Sequence, residues 1–392
     1  MTDPPPLDGP LTQASLFDVL RRYPDIEGPS LVAVDASDRL VLDEAAPHLA
    51  VAPEGTVVVL GDRYGALTLG AAAQGARGLR TAQDALTGER ALSLNAERSG
   101  LTGTFTSVGL DGIGLAGARV VLLQLPRSLA ALDEIAEQVA AHADPRVVLI
   151  AGGRLKHMTR AMNDVLGRHF ATVEARLARQ KSRVLVATSP LASAGGTAGS
   201  RWPAQEHHAD LDLTVCAHGA AFAGTRIDHG TRTLLAHLGA MHPAASSAVD
   251  LGCGTGVLAV ALARARPGLH VTATDESAAA VASARATVAT NGLAGRVDVV
   301  RDDALGSMAD ASVDLVVLNP PFHLGSTVHT GVAHRMFADA GRVLAPGGEL
   351  WCVWNSHLQY RPALERTVGP TRQASRTPTF TVTVSTRPTV GS

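Results

Sequence analysis

The sequence predicts an α/β protein made of two similar halves. Short Val- and Leu-rich runs alternate with longer Ala-rich amphipathic stretches, which is the pattern of strands and helices around a parallel sheet. The length of 392 residues suits about two ordinary domains. Residues 190–200 contain only Pro, Leu, Ala, Ser, Gly and Thr, a composition typical of a linker. We therefore predict domains at 1–190 and 206–392, joined by a linker at 191–205.

Composition and charge narrow the class of protein. With 46% hydrophobic and 18% charged residues, the chain has the composition of a packed soluble protein. A net charge of −2 excludes an overall basic surface, so a nucleic-acid contact would need a local patch. The cysteines Cys216, Cys253 and Cys352 lack the spacing of a zinc site or a disulfide framework, so we predict no metal. The absence of a signal peptide and of a long apolar run predicts a cytoplasmic protein without a membrane partner.

Three segments of the first half recur in the second half in the same order. The pairs are 57–65 with 248–256, 90–101 with 283–293, and 182–190 with 380–388. Any two doubly wound sheets produce similar Val-rich strands, which is the alternative explanation. The shared order favours an internal duplication.

A glycine-rich turn in the second half is typical of nucleotide-type sites. Residues 248–251 read as a buried strand, Gly252-Cys-Gly-Thr-Gly256 as a tight turn, and 257–264 as the following helix. The glycines let the backbone approach a ligand and free the N–H groups at the helix start. Taken alone, the turn also suits NAD, FAD or plain turn geometry.

Acidic residues end the next two predicted strands. Asp275 lies about 20 residues after the turn, where an acid can accept hydrogen bonds from ribose hydroxyls. Its alternative role is a helix N-terminal charge beside the cap Ser277. Asp302 and Asp303 end the strand 296–301, where a carboxylate could accept the exocyclic amine of an adenine. The alternative there is an exposed loop acid.

The segment Asn319-Pro-Pro-Phe322 follows a fourth buried strand, 313–318. Prolines could merely end the strand, but this stop falls at the carboxyl edge of the same sheet, where open α/β sheets bind ligands. The Asn319 side-chain oxygen and the backbone oxygen of the stiff Pro320–Pro321 peptide could accept both protons of a planar exocyclic amine. That arrangement would point the nitrogen lone pair at an electrophile. Phe322 offers a face on which a base could stack.

Together these motifs resemble those of class I S-adenosylmethionine-dependent methyltransferases that act on amino groups. Residues 222–230 and 275–285 extend the resemblance to the ribosomal RNA guanine-N2 methyltransferases, whose types C and G modify the small and the large subunit respectively. Residues 331–337 and 355–360 favour the large-subunit type. Segments of the first half match as well. The resemblance implies two tandem Rossmann-like (class I methyltransferase) domains, of which the first is degenerate.

The resemblance also implies S-adenosylmethionine as cofactor and a set of site residues. The glycine turn would line its methionine part, Asp275 would hold the ribose, and Asp303 would reach the adenine. The segment with Asp228 and Gly230 is expected near the cofactor's carboxylate end. The cofactor-binding set is Asp228, Gly230, Asp250, Gly252, Gly254, Gly256, Asp275, Asp303 and Asn319. The catalytic set is Asn319, Pro320, Pro321 and Phe322.

The first half keeps the pattern of the second half without its chemistry. Arg63 and Tyr64 occupy the places of Gly254 and Thr255, where their side chains would fill a cofactor pocket. Residues 124–127, Gln-Leu-Pro-Arg, stand in place of Asn-Pro-Pro-Phe. We therefore predict no second catalytic site.

The segment 154–183 is a basic region within a near-neutral chain, and its only acids are Asp164 and Glu174. Such a region suits contacts to RNA phosphates, while a solvated helix face is the alternative. The predicted RNA-binding residues are Arg154, Lys156, Arg160, Arg176, Arg179 and Lys181.

These observations predict methyl transfer from S-adenosylmethionine to the N2 amine of a guanine in ribosomal RNA, with large-subunit RNA favoured. No metal and no obligate protein partner are expected. One alternative is methylation of another planar amine: adenine N6, cytosine N4 or a protein glutamine. Another is an RNA-binding assembly factor that keeps the fold without turnover. A dehydrogenase would not account for Asn319-Pro-Pro-Phe322.

Overall fold

Two units divide the chain in the computed structural model, Met1–Arg201 and Trp202–Ser392. The structure describes residues 13–28, 31–191, 200–321 and 327–389, without the side chains of 327–330. The predicted N-terminal tail, Met1–Pro10, lies outside these ranges, as does most of the predicted linker, residues 192–199.

The first unit alternates strands with helices, as the sequence predicts. Its helices are α1 Gln13–Val19, α2 Ala36–Leu49, α3 Ala66–Ala73, α4 Leu86–Ser99, α5 Gly112–Leu115, α6 Leu129–His142 and α7 Ala161–Leu166. Its strands are β1 Val57–Leu60, β2 Leu79–Ala82, β3 Phe105–Ser107, β4 Val120–Gln124, β5 Val148–Arg154, β6 Phe170–Ala175 and β7 Ser182–Pro190.

The second unit repeats this alternation after a short two-stranded sheet. Its helices are α8 His229–Leu235, α9 Val257–Ala265, α10 Ala278–Thr290, α11 Thr327–Val343 and α12 Arg361–Thr367. Its strands are β8 Ala204–His208, β9 Leu213–Ala217, β10 Ser247–Leu251, β11 His270–Asp275, β12 Val297–Arg301, β13 Val313–Leu318, β14 Leu344–Asn355, β15 Thr371–Arg376 and β16 Phe380–Thr386. Strand β8 pairs with β9 and begins two residues inside the predicted linker 191–205, so Ala204 and Gln205 are not linker residues.

The two large sheets have the same strand order. The first runs β3-β2-β1-β4-β5-β7-β6 and the second runs β12-β11-β10-β13-β14-β16-β15. Strand β7 in the first sheet and strand β16 in the second are antiparallel to both of their neighbours. All other neighbouring strands are parallel. This identity confirms the predicted α/β class with two tandem Rossmann-like domains. It also explains the three echoed segments by duplication.

Both sheets are covered on both faces, which is why their strands are continuously apolar. In β1, Val57 and Val59 belong to one hydrophobic cluster, and Val58 and Leu60 to another on the opposite face. Strand β13 repeats this alternation. Helices on both faces leave the strand ends as the accessible part of each sheet, and ligands bind there in open α/β folds.

Helix α2 of the first unit begins with a capping box that contains a buried acid. The Asp35 carboxylate accepts from the N–H of Ser37 at 2.6 Å, and Asp38 accepts from the N–H of Asp35 at 2.8 Å. Burial raises the pKa of the Asp38 carboxyl to about 8, so it is protonated in the folded protein at neutral pH.

We expect the free energy of unfolding of Asp38→Asn, relative to that of the wild type, to increase as the pH rises. An unfolded Asp ionises near pH 4, whereas folded Asp38 resists ionisation up to about 8, so the wild type loses stability between these values. Asn keeps the acceptor for the Asp35 N–H and has nothing to ionise. Urea unfolding at about pH 5 and about pH 8 should show the stability difference growing by more than ~1 kcal/mol. A difference independent of pH would contradict the assignment.

No helix in the described ranges is long and apolar enough to cross a membrane.

Candidate functional site

A cavity of about 650 Å³ lies in the second unit, where β10, β11, β13 and β14 end. The structure places most of the predicted site residues in its wall. Those from the cofactor set are Asp228, Gly252, Gly254, Asp275, Asp303 and Asn319. Those from the remaining catalytic set are Pro320 and Pro321, whereas Phe322 lies outside the described residues. Residues far apart in the chain therefore meet at one sheet edge.

The glycine turn between β10 and α9 is held against the neighbouring strand. The N–H groups of Gly252 and Cys253 donate to the Thr274 carbonyl at 2.8 and 2.9 Å. Gly254 has φ of 53°, and a Cβ there would meet no atom within 4 Å. Its backbone therefore faces open space, so a ligand can approach it closely.

Three members of the predicted cofactor set, Gly230, Asp250 and Gly256, support the cavity from behind instead of lining it. A Cβ at Gly230 would lie 2.9 Å from the Asn319 Oδ1, and one at Gly256 would lie 3.1 Å from the Ala284 Cβ. A side chain at Gly230 would therefore displace the Asn319 carboxamide, and one at Gly256 would push α9 away from α10.

Asp250 is buried and its Oδ2 accepts from the N–H of Ala259 in α9 at 3.0 Å. Burial raises the pKa of this carboxyl to about 7, and the nearby charge of Asp275 adds to the rise. Its contact fixes the start of α9, so the residue positions the turn from within the sheet.

Asp275 ends β11 and ties two parts of the cavity wall together. Its Oδ2 accepts from the N–H of Gly254 at 3.0 Å, and its Oδ1 accepts from the N–H of Ser277 at 2.9 Å. Ser277 caps α10 by accepting from the N–H of Ala280 at 3.1 Å. These contacts support the interpretation of Asp275 as a helix-start charge, while its contact to a ribose stays a prediction.

The two acids after β12 have different roles. Asp302 is buried, and its Oδ2 accepts from the N–H and the hydroxyl of Ser307 at 2.9 and 2.8 Å, so it shapes the loop. Asp303 lines the cavity and forms an ion pair of 2.7 Å with Arg335 of α11. No sequence pattern indicated this arginine at the site, because it lies on a helix more than 30 positions away.

Asn319 follows β13 with its carboxamide held in one orientation. Its Nδ2 donates to the Asp228 Oδ2 at 2.9 Å and to the Thr231 hydroxyl at 3.1 Å. A carboxylate can only accept, so the amide nitrogen must face Asp228 and the oxygen is left for another donor. That Oδ1 is buried and has no hydrogen-bond partner among the described residues. The contact assigns Asp228 a role that its sequence position did not predict.

Cys253 lines the cavity as a protonated thiol. Burial raises its pKa well above the ordinary value, and the charges of Asp250 and Asp275 add to the rise. A protonated thiol is a poor nucleophile, so Cys253 is poorly suited to form a covalent intermediate.

The corresponding turn of the first unit is filled by Tyr64 and Asp62, whereas the predicted filling by Arg63 is wrong because that side chain is exposed. Tyr64 is buried, with its hydroxyl donating to Asp25 at 2.5 Å and the Arg22 guanidinium 4.7 Å from its ring centre. Asp62 accepts from the N–H groups of Gly65 and Thr68 at 3.1 and 2.7 Å.

The first unit therefore starts its helix with a different acid. Thr68 lies three residues after Gly65, as Ala259 lies three residues after Gly256. In the second unit the strand residue Asp250 accepts from the N–H of Ala259. In the first unit the turn residue Asp62 accepts from the corresponding N–H of Thr68.

The predicted RNA-binding residues fall into two groups. Arg176 pairs with Glu44 at 2.7 Å and with Glu174 at 2.6 Å, and Arg179 pairs with Asp43 at 2.7 Å. The count of acids within 154–183 was therefore misleading, because α2 supplies two more. The other four, which have no carboxylate partner among the described residues, are Arg154, Lys156, Arg160 and Lys181.

Arg154 and Lys156 lie close to Arg63 and Arg127, which were not among the predicted RNA-binding residues. Burial and the positive charges of Arg127, Lys156, Arg154 and Arg63 lower the pKa of His157, which lies 3.5 Å from Arg127. We call Arg63, Arg127, Arg154 and Lys156 the cationic edge. Arg63 follows β1, Arg127 follows β4, Arg154 ends β5, and Lys156 follows β5. All four lie at the sheet edge that corresponds to the cavity of the second unit.

Comparison with known proteins finds separate family models for the two halves of the chain. A family model described as a methyltransferase small domain matches residues 212–384, and one described as an RLMG N-terminal domain matches 11–191. The ribosomal RNA large subunit methyltransferase G of Pseudomonas paraeruginosa is 35% identical over 365 residues, 93% of this chain and 96% of that protein. The protein of the same name from Streptomyces coelicolor is 36% identical over 360 residues, 90% of this chain and 93% of its own length.

The chain belongs to the ribosomal RNA large subunit methyltransferase G family. Among solved structures, the T. thermophilus 16S rRNA N2 methyltransferase in complex with AdoMet and guanosine superposes on this family member with a TM-score of 0.71. The superposition covers 90% of this chain and 92% of that one at 20% identity, a level that shows a shared fold. The resemblance found in the sequence is thereby confirmed, and the protein is a methyltransferase by family and fold.

No group of three or more His, Cys, Asp or Glu side chains within the described ranges could hold a metal ion.

Proposed function

We propose that this protein transfers a methyl group from S-adenosylmethionine to the exocyclic N2 amine of a guanine in ribosomal RNA, with large-subunit RNA favoured. The observation that carries the proposal is the buried, unpartnered Oδ1 of Asn319, whose orientation is set by Asp228. An amine proton is the donor that such an acceptor requires. The names of the relatives agree with this substrate. A reaction on ribosomal RNA would take place in the cytoplasm.

The cavity residues fit the proposed cofactor. Gly254 leaves open space beside its backbone, and the carboxylate of Asp275, which lines the cavity, is of the kind that accepts ribose hydroxyls. Asp303 would accept from the adenine amine, with Arg335 holding the carboxylate in place. S-adenosylmethionine would supply there an electrophilic methyl group on a sulfonium. Direct displacement by the amine would release S-adenosylhomocysteine, and the methylated amine would lose one proton to water.

The residues after β13 would orient the attacking amine. The Asn319 Oδ1 and the Pro320 carbonyl would accept its two protons, which directs the nitrogen lone pair away from them. Positive charge grows on the nitrogen as the new carbon–nitrogen bond forms, and two fixed acceptors stabilise that charge better than mobile water. Asp228 and Thr231 hold the amide so that its oxygen is already in place.

Two alternatives predict other outcomes of an activity assay. Adenine N6, cytosine N4 or a protein glutamine could present the same planar amine to Asn319. An assembly factor without turnover would bind the cofactor or RNA and form no product. The oriented Asn319 amide favours an active enzyme, because a binding protein has no need for an unpaired buried acceptor.

The first unit is proposed to hold the RNA through the cationic edge. Arg63 and Arg127 are exposed, while Arg154 and Lys156 flank them without carboxylate partners in the described part of the chain. Unpaired cations can release the counterions of phosphates, whereas Arg176 and Arg179 must first leave their carboxylates. The target base must then leave any helix to reach the cavity.

A product analysis tests the function. Ribosomal RNA from a strain that lacks the gene would be incubated with the full chain and S-adenosylmethionine, then digested to nucleosides for mass spectrometry. We expect N2-methylguanosine. Formation of N6-methyladenosine or N4-methylcytidine, or of methylglutamine in a parallel incubation with release factor, would support a rival. No product despite cofactor binding would favour the assembly factor.

Replacing Asp275 by alanine should weaken cofactor binding by about 1–3 kcal/mol, because a carboxylate that accepts ribose hydroxyls is removed. Calorimetric titration with S-adenosylhomocysteine measures the effect. A melting curve of the variant serves as control, because Asp275 also contacts Ser277 at the start of α10. Unchanged affinity would reduce the residue to a helix-start charge.

A further inference from the structure

Two side chains of the cavity wall, Asn355 and Phe380, take no part in the chemistry described so far. Asn355 is the last residue of β14, and Phe380 is the first residue of β16. The two residues are direct partners in the antiparallel ladder between these strands. A carboxamide and an aromatic ring therefore stand side by side at the cavity.

The position of Asn355 relative to Asn319 follows from the sheet. Strand β13 ends at Leu318, which pairs with Cys352, and β14 continues for three more residues to Asn355. Both asparagines therefore lie at the carboxyl edge of neighbouring strands, and both line the same cavity. The ladder with β16 fixes the backbone of Asn355, so its side chain starts from a rigid element.

The carboxamide of Asn355 is half-buried and makes no hydrogen bond to another described residue. It is the first residue before a short 3-10 turn, yet its side chain does not cap that turn. Phe380 is also half-buried and lies between this cavity and a smaller groove. Asp250 and Asp302 are buried and accept hydrogen bonds from the backbone, whereas Asn355 and Phe380 remain partly accessible at the cavity.

We propose that Asn355 reads the N1–H and O6 of the target guanine while Phe380 stacks on the base. This inference rests on the proposed function and extends it from the reacting amine to the recognition of the base. The amide oxygen accepts from N1–H and the amide nitrogen donates to O6, a bidentate pair that matches adjacent groups of guanine. Aromatic stacking adds affinity without selecting among bases.

The division of roles explains how a single sheet edge could select guanine. Asn319 and the Pro320 carbonyl contact only the amine, which adenine, cytosine and glutamine also carry. The neighbouring N1–H and O6 distinguish guanine from these amines, and Asn355 offers one acceptor and one donor for them. Residue Asn355 is thus assigned to specificity, and Asn319 to the reaction.

Nucleoside binding to the full chain, saturated with S-adenosylhomocysteine, tests the proposal by NMR titration. Guanosine is compared with 2-aminopurine riboside, which keeps the N2 amine but has no O6 and no proton on N1. We expect the wild type to prefer guanosine by at least about fivefold, the lower limit for a bidentate pair. Asn355→Ala should remove most of that preference.

Two further variants separate reading from stacking. Phe380→Leu should lower the affinities for guanosine and 2-aminopurine riboside by a similar factor and leave the ratio of the two affinities unchanged, because base stacking does not depend on O6. Thr379→Ala is the matched control, since this exposed neighbour lines only the adjoining groove and should change neither affinity. The affinity for S-adenosylhomocysteine should stay constant in all three variants, which also reports that they are folded.

The outcomes distinguish this inference from the proposed function. If Asn355→Ala retains the guanosine preference, the role assigned to Asn355 is wrong while the guanine-N2 reaction stands. If Phe380→Leu has no effect on either nucleoside, the stacking role is wrong. If the wild type binds guanosine no better than 2-aminopurine riboside, no residue of the cavity reads N1–H or O6 and the inference is wrong, while the product analysis separately decides the proposed function.

Discussion

Asn319→Ala should lower the rate of methyl transfer by about 100-fold or more, the usual effect of removing one preorganised transition-state contact. The variant lacks the buried Oδ1 that is proposed to accept an amine proton. Cofactor affinity should stay within a few-fold of the wild type, because Asp275 and the glycine turn are untouched. Initial rates on ribosomal RNA and calorimetry with S-adenosylhomocysteine measure the two effects. A rate within about tenfold of the wild type would contradict the assignment.

Variants of Asp228 provide a matched control for this prediction. Asp228→Ala removes the acceptor that holds the Asn319 Nδ2, so the amide can turn and the rate should fall. Asp228→Asn can keep an oxygen toward the Asn319 Nδ2 and the Gly230 N–H, so it should restore part of the rate. Equal reduction in both variants, with cofactor affinity falling in parallel, would indicate that Asp228 acts on the cofactor instead.

Neutralising the cationic edge should weaken RNA binding and flatten its dependence on salt. In the triple variant Arg63→Gln, Arg127→Gln, Lys156→Gln, the log–log slope should fall by about one unit for each phosphate that the protein no longer neutralises. Cofactor binding should be unchanged, because these residues belong to the first unit. Filter binding or anisotropy at several salt concentrations provides the slope.

Arg176 and Arg179, which are paired with carboxylates, provide the control for the triple variant. Arg176→Gln with Arg179→Gln removes cations that already contact Glu44, Glu174 and Asp43, so the slope should change less. If this double variant has the larger effect, RNA contacts the hairpin between β6 and β7 instead of the cationic edge. If neither variant changes the slope, the first unit supports the structure without binding RNA.

The sequence predicted those features that depend on local pattern. Continuous apolar runs indicated the strands, and the glycine spacing indicated the turn before α9, because both are set by neighbours in the chain. The ends of parallel strands share one edge, so the approximate meeting of Gly254, Asp275 and Asn319 also followed.

The remaining features depend on which distant side chains meet. The contact between Asp228 and Asn319 spans 91 positions, and that between Arg176 and Glu44 spans 132. No local spacing encodes such pairs. The site position of Asn355 and Phe380 depends on β16 pairing with β14, which only the complete sheet order reveals. Side-chain roles were therefore harder to predict than backbone elements.

The exchange of Asp250 for Asp62 makes the loss of the first cofactor site difficult to reverse. Glycine at position 63 would not reopen the turn, because Arg63 is exposed and the buried side chains of Asp62 and Tyr64 would still occupy it. Removing Asp62 leaves the N–H groups of Gly65 and Thr68 without an acceptor, at about 1–3 kcal/mol for each. Placing an aspartate at Val59 beforehand would bury a second carboxyl beside the first. Changing either Asp62 or Val59 alone therefore lowers stability, so the order of substitutions restricts a return of the first unit to the cofactor-binding form.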